Sequence, residues 1–355
     1  MKARQTCEAP LPQLISDAEH PDSHGILNRL ELSAPDFEHR IHRALDTAEQ
    51  ELQSCAQGSA DPRIAALTGH LAAAGGKRLR PLLVLLGAEF GDPAREGIAR
   101  AAVIAELVHL SSLYHDDVMD AARTRHGVPS ANARWGQRAA VLGGDWLLAR
   151  SVQLAADLGA AAVHLNAQAA ARLVAGQLRE LTGPAPDEDP VEHYLRVALG
   201  KTAALLSMSL GLGAVQAEAP APCVAALTEF GEHIGIAFQI ADDLLDLASP
   251  TEVTGKEQGK DLLAGVPSLP VVLALAGDEP GDEELRALLA AGPTSDPAAH
   301  RRALELFGRS PAPARAASVM YERLDRARDT LTALPPLAAR RALHGLCDFV
   351  GRRSA

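Results

Sequence analysis

The chain has 355 residues and a formal net charge of −11, and 47% of its residues are hydrophobic but only 3% are aromatic. The negative charge argues against nonspecific binding to nucleic acid or anionic lipid, because both need a basic surface that releases counterions. Alanine and leucine dominate the apolar residues, a composition that favours packed helices over a sheet. We therefore expect an all-α protein with a sizeable core.

The first residues differ in composition from the rest of the chain. Residues 1–35 mix Pro, Asp, His and Ser without apolar periodicity, which predicts a loosely ordered tail. We find no signal-peptide pattern and no stretch near the roughly 20 apolar residues of a membrane span. The four scattered cysteines fit neither a disulfide framework nor a zinc site, which predicts a reducing cytoplasm. They are Cys7, Cys55, Cys223 and Cys347.

The remainder, residues 36–355, alternates apolar-periodic segments with short breaks rich in Pro, Gly and Asp. This punctuation is typical of a helical bundle. No break is long enough for an interdomain linker and no fixed repeat is present, so we predict one domain. Two predicted helices matter most, one from about Gly97 to Asp120 and one from about Pro222 to Leu247.

Each of these two helices ends in a D-D-x-x-D cluster. The clusters are Asp116, Asp117 and Asp120 in the first helix, and Asp242, Asp243 and Asp246 in the second. Residues four apart on a helix stack on one face, so each cluster presents two carboxylates together. Oxygen-only ligation suits Mg²⁺, which takes one or two carboxylates and leaves other positions to water and phosphate. One cluster could be a solvated acidic helix end, but two on apolar helices indicate a metal site.

A basic segment, Gly75-Gly76-Lys77-Arg78-Leu79-Arg80-Pro81, stands out in this acidic chain. The two glycines let the backbone approach a ligand closely. Lys77 offers a point charge and Arg80 a planar fork, both suited to phosphate oxygens. Taken alone, the segment would favour a basic helix start whose side chains are solvated.

These features together resemble the trans-isoprenyl diphosphate synthase, or polyprenyl synthetase, family. The resemblance covers roughly residue 37 to the C-terminus, with the motifs in the family's order. Besides the segments above it includes Lys201-Thr202, Phe238-Gln239, and Gly255-Lys256 followed by Asp261. It implies a single-domain isoprenoid-synthase helical bundle with a central substrate tunnel. It also implies a homodimeric, Mg²⁺-dependent prenyltransferase that adds isopentenyl diphosphate to an allylic diphosphate, with transient membrane contact for product release.

The resemblance assigns roles at the matching positions. Three Mg²⁺ would be held by Asp116, Asp120 and Asp242, supported by Asp117, Asp243 and Asp246. The allylic diphosphate would be bound by Arg125, Lys201 and Lys256, and isopentenyl diphosphate by Lys77, Arg80 and His109. The oxygen dipoles of Thr202 and Gln239 would face the allylic cation, so that Lys201, Thr202, Gln239 and Lys256 form the catalytic set. The departed diphosphate would then accept the proton.

The sequence departs from the family pattern at His126, where a second arginine is usual. That arginine helps to bind isopentenyl diphosphate in the family, and an imidazole offers no permanent guanidinium fork. We therefore expect the change His126→Arg to lower the KM for isopentenyl diphosphate.

Product length in this family depends on the residues that precede the first aspartate cluster by one and two turns. Here they are Ser112, Ser111 and Val108, with no Phe or Tyr to block a tunnel. We therefore predict a long product of about C30 to C50, with a short-chain geranylgeranyl or farnesyl diphosphate synthase as the alternative.

Other classes of protein share part of this pattern. A class I terpene cyclase shares the helical fold and metal chemistry, but would not need a site at Lys77 and Arg80. A noncatalytic subunit of a two-component synthase would have lost aspartates, and a purely structural acidic bundle would explain neither cluster. Glu106 and His109 form a Glu-x-x-His pair, but a di-iron bundle needs a second such pair and the sequence has none.

Overall fold

A computed structural model describes residues 34–248, 258–294 and 296–353. In this part of the chain the structure is helical except for one short hairpin, which confirms the predicted all-α class. The first half contains α1 (Pro35–Ala56), α2 (Pro62–Thr68), α3 (His70–Ala73), α4 (Leu79–Ala88), α5 (Ile98–Met119), α6 (Ala131–Trp135), α7 (Gln137–Leu158) and α8 (Ala160–Thr182). The hairpin pairs β1 (Thr124–Arg125) with β2 (Val128–Pro129) in antiparallel register.

The second half of the chain continues the bundle. It contains α9 (Pro190–Ala198), a π-helical segment (Leu199–Ala203), α10 (Ala204–Gln216), α11 (Ala221–Ala248), α12 (Lys260–Ala264), α13 (Leu269–Ala276), α14 (Glu283–Ala290), α15 (Pro297–Phe307), α16 (Ala312–Leu331) and α17 (Ala338–Arg353). The two helices predicted to carry the aspartate clusters therefore form within two residues of their expected bounds.

Asp-Pro pairs start several of the helices. The side chains of Asp61, Asp189 and Asp296 accept hydrogen bonds from backbone N–H groups in the first turns of α2, α9 and α15. Proline follows each of these aspartates, and its fixed φ suits the first helical position. The Pro- and Asp-rich breaks of the sequence thus become helix caps.

The core is built around α5, α10 and α11. α5 packs against α1, α4 and α7, while α10 lies between α4 and α11, and α11 packs in turn on α16. Side chains of α5 are buried on every side of the helix from Ala101 to Val108, as expected of a central bundle helix rather than an amphipathic surface helix. The central helices hold their C-terminal aspartates in a fixed frame.

One helical stretch of the described chain, Pro190–Gln216, is long and apolar enough to cross a membrane by length and composition alone. Of its most apolar window, 78% is buried inside the protein. It joins α9, the π-helical segment and α10, and it packs against α4, α8 and α11 as part of the core.

Two predictions concern residues outside this part of the chain. Of the predicted tail, residues 1–33 lie outside the described residues, and α1 begins at Pro35. The division into a tail and one catalytic domain remains a prediction. Lys256, assigned to the allylic diphosphate, also lies outside the described residues.

Candidate active site

The three aspartates of the first cluster lie at the C-terminal end of α5 in three different environments. Asp116 is half-buried, Asp117 is fully buried and Asp120 is exposed. Burial raises the pKa of Asp116; Lys201 lies near enough to oppose that rise, and Asp120 adds to it. A half-buried carboxylate beside a like charge is a site that a cation would stabilise.

Asp117 forms an ion pair with Arg125. Its Oδ1 accepts hydrogen bonds from Arg125 Nε at 2.8 Å and Nη2 at 2.6 Å. Arg125 ends β1, and the two hairpin residues that follow, His126 and Gly127, both have positive φ, at 49° and 77°. Positive φ at both central positions is the signature of a type I′ turn, the usual two-residue hairpin connection. Asp117 thus ties this hairpin to the end of α5.

In the second cluster, Asp243 is 4% exposed and accepts three hydrogen bonds. The donors are the Tyr194 hydroxyl at 2.6 Å, the Gln239 amide at 3.0 Å and the Leu269 backbone N–H at 3.0 Å. Burial raises the pKa of Asp243 to about 6 even though these donors favour the ionised form. This carboxylate joins α9, α11 and the first residue of α13.

Two residues of the predicted catalytic set contact each other. The Thr202 hydroxyl donates to Gln239 Oε1 at 2.7 Å, while Gln239 Nε2 donates to Asp243. The Gln239 amide is therefore oriented from both ends, with its oxygen toward the π-helical segment. A chain of hydrogen bonds runs from Tyr194 through Asp243 and Gln239 to Thr202.

Asp246 caps the short helix α12. Its carboxylate accepts the backbone N–H groups of Lys260 at 3.2 Å and Asp261 at 3.0 Å. Burial raises the pKa of Asp261 to about 7, and the charges of Asp246 and Asp243 add to this rise. Asp261 was noted as part of the family pattern but was not assigned to the site. The remaining carboxylate of the cluster, Asp242, is half-buried.

Lys201 projects from the π-helical segment and pairs with a residue that sequence reasoning missed. Its Nζ lies 2.6 Å from Glu180 Oε2, which also accepts a hydrogen bond from Gln177 at 2.9 Å. The backbones of α8 and the π-helical segment approach closely here: a Cβ atom on Gly176 would lie only 2.7 Å from the backbone nitrogen of Lys201. Single π-helical turns of this kind are frequent at functional sites.

The predicted isopentenyl diphosphate residues cluster at the start of α4 and in the middle of α5. Burial lowers the pKa of Arg80, and the carboxylates of Glu106 and Asp242 oppose the shift. Burial and the nearby Arg80 hold the pKa of His109 well below its usual range. His126 lies near enough to His109 to lower its pKa further, and partial burial beside Arg125 lowers the pKa of His126 as well. The proximity of Arg80 to Asp242 connects the basic segment with the second aspartate cluster.

The serines assigned to the tunnel lie one turn before the first cluster. Ser111 is 3% exposed and donates to the Gly144 carbonyl of α7 at 2.8 Å. Ser112 is half-buried and donates to the His109 carbonyl of its own helix at 2.8 Å. Ser111 is thus held by α7, and the tunnel itself remains a prediction.

The side chains of the two aspartate clusters match the ligand preferences of Mg²⁺. Within the described ranges, no three Asp, Glu, His or Cys side chains converge as a ready-made metal site. Mg²⁺ does not require such a cage, because it is commonly bound by one or two carboxylates together with substrate phosphate and water. Asp116 and Asp120 on one helix and Asp242 on the other supply the oxygen donors that Mg²⁺ prefers. The residues therefore fit the ion.

Comparison with known proteins gives consistent matches. Residues 61–307 match the model of the polyprenyl synthetase family. A nonaprenyl diphosphate synthase of Mycobacterium tuberculosis is 41% identical, covering 88% of this chain and 91% of the relative. Component 2 of the heptaprenyl diphosphate synthase of Geobacillus stearothermophilus is 38% identical over 87% of this chain and 95% of its own length.

Solved structures of the same family superpose closely on this chain. A geranylgeranyl pyrophosphate synthase from Corynebacterium glutamicum, complexed with calcium and isoprenyl diphosphate, superposes with a TM-score of 0.82 at 40% identity, covering 90% of this chain and 98% of the other. A decaprenyl diphosphate synthase from Rhodobacter capsulatus superposes with a TM-score of 0.81 at 32% identity, covering 90% and 99%.

Matches of this extent place the protein among the all-helical prenyltransferases of isoprenoid synthesis. The chain belongs to the polyprenyl synthetase family. The predicted family, the all-α fold and a prenyltransferase of the polyprenyl diphosphate synthase type are thereby confirmed. The roles assigned to individual residues remain predictions.

Proposed function

We propose that the enzyme is a trans-polyprenyl diphosphate synthase that condenses isopentenyl diphosphate with an allylic diphosphate and makes a product of about C30 to C50. The observation that carries the proposal is the hydrogen bond from Thr202 of the π-helical segment to Gln239 of α11, next to Lys201, whose charge acts on Asp116 of α5. The small residues Ser111 and Ser112 before the first cluster support the long product. So do the relatives named as nonaprenyl and heptaprenyl synthases.

We propose Mg²⁺ as the metal, held by Asp116, Asp120 and Asp242 when the allylic diphosphate binds, with three ions in the complete site. The bound ions would neutralise the charge that develops on the departing diphosphate. Lys201, now paired with Glu180, would contact the same diphosphate. Lys256 is assigned to it by resemblance alone.

The supporting aspartates would act through neighbouring groups. Asp117 holds Arg125 by two hydrogen bonds, so that the arginine is oriented before the allylic diphosphate arrives. Asp243 orients the amide of Gln239, and Asp246 fixes the backbone at the start of α12. Preorganised groups of this kind cost no reorganisation when the reaction occurs.

The same network would stabilise the allylic cation. The Thr202 hydroxyl donates a hydrogen bond to Gln239 Oε1, and both oxygens keep lone pairs that can face the developing positive charge. No protein base is needed in this scheme, because the departed diphosphate accepts the proton lost after condensation. Isopentenyl diphosphate would bind at Lys77, Arg80, His109 and His126.

A homodimer is the proposed assembly, formed through one exposed apolar face of α7 and α8. Of the eleven large hydrophobic residues that are exposed in the described part of the chain, six lie on these two adjacent helices. They are Val141, Leu142, Val152, Val174, Leu178 and Leu181. A patch of this kind on a globular domain indicates a protein interface. In light scattering, Leu142→Arg and Leu178→Arg should give monomers, whereas Leu337→Arg, which alters an exposed leucine elsewhere, should leave the dimer intact.

A cytoplasmic location is also proposed, because Cys55, Cys223 and Cys347 are buried and unpaired, as expected in a reducing compartment. No nucleic-acid partner is expected of so acidic a chain. Contact with a membrane would be transient, during release of the long apolar product.

The test is an assay with purified protein, labelled isopentenyl diphosphate, a farnesyl or geranylgeranyl diphosphate primer and Mg²⁺, with and without chelator. A metal-dependent series of prenols ending near C30 to C50, sized after dephosphorylation, is the expected result. A series ending at C20 would establish the short-chain alternative. A hydrocarbon or alcohol formed from the primer alone, without label, would establish the class I terpene cyclase and contradict the proposal.

A further inference from the structure

Arg78 lies between the two predicted phosphate-binding residues Lys77 and Arg80, but its own side chain is only 2% exposed. Each nitrogen of its guanidinium finds an acceptor. Nε donates to Glu49 at 2.6 Å, Nη1 to Glu106 at 3.1 Å and the Gly75 carbonyl at 3.4 Å, and Nη2 to Glu49 at 2.9 Å and the Ala72 carbonyl at 2.8 Å. A guanidinium has five N–H donors, so Arg78 has none left for a substrate.

The backbone at Arg78 is held in an unfavourable conformation. Its φ of 47° and ψ of 37° lie in the left-handed region, which non-glycine residues seldom adopt. Such a conformation persists where surrounding contacts enforce it, and it is found mostly at functional sites. Helix α4 begins at the next residue, Leu79. The conformation of Arg78 therefore sets the position of Lys77, just before the helix, relative to Arg80 in its first turn. The bonds of the Arg78 side chain hold that turn.

Glu106 of α5 is the second carboxylate that pairs with Arg78. Its Oε1 accepts the hydrogen bond from Arg78, whereas its buried Oε2 has no hydrogen-bond partner in the described part of the chain. The buried Nε of Arg80 also has no hydrogen-bond partner among the described residues. The negative charge of Glu106 raises the pKa of Arg80, against the effect of burial. One carboxylate thus faces both arginines, one turn of helix before His109.

We propose that Arg78, Glu49 and Glu106 form a positioning network that holds Lys77 and Arg80 ready for the diphosphate of isopentenyl diphosphate without touching it. The inference rests on the proposed function, which places that diphosphate at Lys77 and Arg80. Disturbing the network should weaken binding of isopentenyl diphosphate and leave the allylic diphosphate site at Asp116 and Lys201 unaffected.

The experiment compares Glu49→Gln with Glu51→Gln. Both glutamates lie on α1 with nearly equal side-chain exposure, 28% and 29%, but Glu51 pairs with the surface residue Arg100. Binding of isopentenyl diphosphate alone is measured by calorimetry, since no turnover occurs without the allylic substrate. The KM of each substrate, kcat and the thermal midpoint follow for the same proteins.

Glu49→Gln should raise the Kd and the KM for isopentenyl diphosphate by about tenfold, because small displacements of binding groups are costly. The KM for the allylic substrate should stay within about twofold, as should every constant of Glu51→Gln. An unchanged Kd in Glu49→Gln would overturn the network while leaving the proposed function intact. A wild-type protein that does not bind isopentenyl diphosphate would overturn both.

Arg78→Gly separates the side chain from the backbone. Glycine adopts φ near 47° without strain, so this variant keeps the turn accessible but removes the guanidinium. We expect weaker binding of isopentenyl diphosphate than in Glu49→Gln. Binding equal to that of the wild type would show that the backbone turn alone suffices and would overturn the inference.

Discussion

The two aspartate clusters have the same spacing but different surroundings. In each, the first aspartate is half-buried and the second is buried and hydrogen-bonded. In the first cluster, however, Arg125 is the one residue of the described chain that donates to the Asp117 carboxylate, and Asp120 is exposed. In the second, Asp243 accepts from three elements and Asp246 caps a helix. The second cluster is part of the frame of the bundle, whereas the first is open to solvent and ligands.

In both clusters, however, the first aspartate is more exposed than the second, so we infer that the members of a D-D-x-x-D motif divide two tasks. Adjacent residues on a helix point about 100° apart, so both cannot face the same ligand equally. We propose that the first aspartate of each pair binds a metal and that the second holds a neighbouring side chain used in the reaction. Removing the first should therefore affect catalysis, and removing the second should affect stability as well.

The largest expected effect is on catalysis, from Asp116→Ala and Asp242→Ala. Each should lower kcat by about 10²- to 10³-fold, because the charge on the departing diphosphate is less well neutralised. The thermal midpoint of Asp116→Ala should stay close to that of the wild type, because burial disfavours the charged form of this carboxyl group. Steady-state kinetics and thermal melts of the same samples check this, and a kcat within tenfold of the wild type would remove that aspartate from the metal site.

The second effect is on stability, from Asp243→Ala compared with Asp117→Ala. The first change leaves the Tyr194 hydroxyl, the Gln239 amide and a backbone N–H without their buried acceptor, at a cost of about 1–3 kcal/mol for each group that stays unpaired. The second frees only Arg125, whose side chain is 28% exposed and can reach water. In urea unfolding, the free energy of unfolding of Asp243→Ala should be well below that of Asp117→Ala. The reverse order would contradict the division of tasks.

The length of the product tests the role of the residue one helical turn before the first cluster. Phe238 precedes Asp242 by four residues, whereas Ser112 occupies the corresponding place before Asp116. Ser112→Phe makes the two helices alike at this position and should shorten the product. Chromatography of the dephosphorylated prenols measures the length, and Ser112→Ala, which removes only the hydroxyl, should leave it unchanged. Equal product length in all three proteins would refute the tunnel assignment.

The smallest expected effect concerns the hairpin held by Asp117. His126→Arg should lower the KM for isopentenyl diphosphate by about three- to tenfold near pH 8, because a guanidinium is charged where this imidazole is neutral. The pKa of His126 lies below its usual value, so the imidazole gains its charge only as the pH falls. The ratio of the two KM values should therefore shrink toward acidic pH. A ratio of one at every pH would exclude His126 from that site.

Much of the fold could be predicted from the sequence, because apolar periodicity and Asp-Pro or Gly breaks define helices locally. The predicted helices from Gly97 and Pro222 begin within one residue of α5 and α11. Which aspartate of each pair turns inward was not predicted, although the signal was present. Asp117 continues the buried stripe of Leu110 and Tyr114, seven and three residues earlier.

Contacts between distant segments could not be predicted in this way. Glu49 and Arg78 are 29 residues apart, and Glu180 and Lys201 are 21 apart, so only the packed bundle brings them together. Sequence reasoning selected Lys77 and Arg80 and weighed Glu106 only as an iron ligand. The exposed charges of a motif can be recognised from its chemistry, but the buried charges that hold it depend on tertiary packing.

The division of tasks within each cluster is tested most directly by a crystal structure of the enzyme with Mg²⁺ and a thio analogue of the allylic diphosphate, which is not turned over. We predict metal contacts from Asp116, Asp120 and Asp242, with Asp117 still bonded to Arg125 and Asp243 still bonded to Tyr194 and Gln239. Metal bound directly to Asp117 or Asp243, with those bonds broken, would contradict the account.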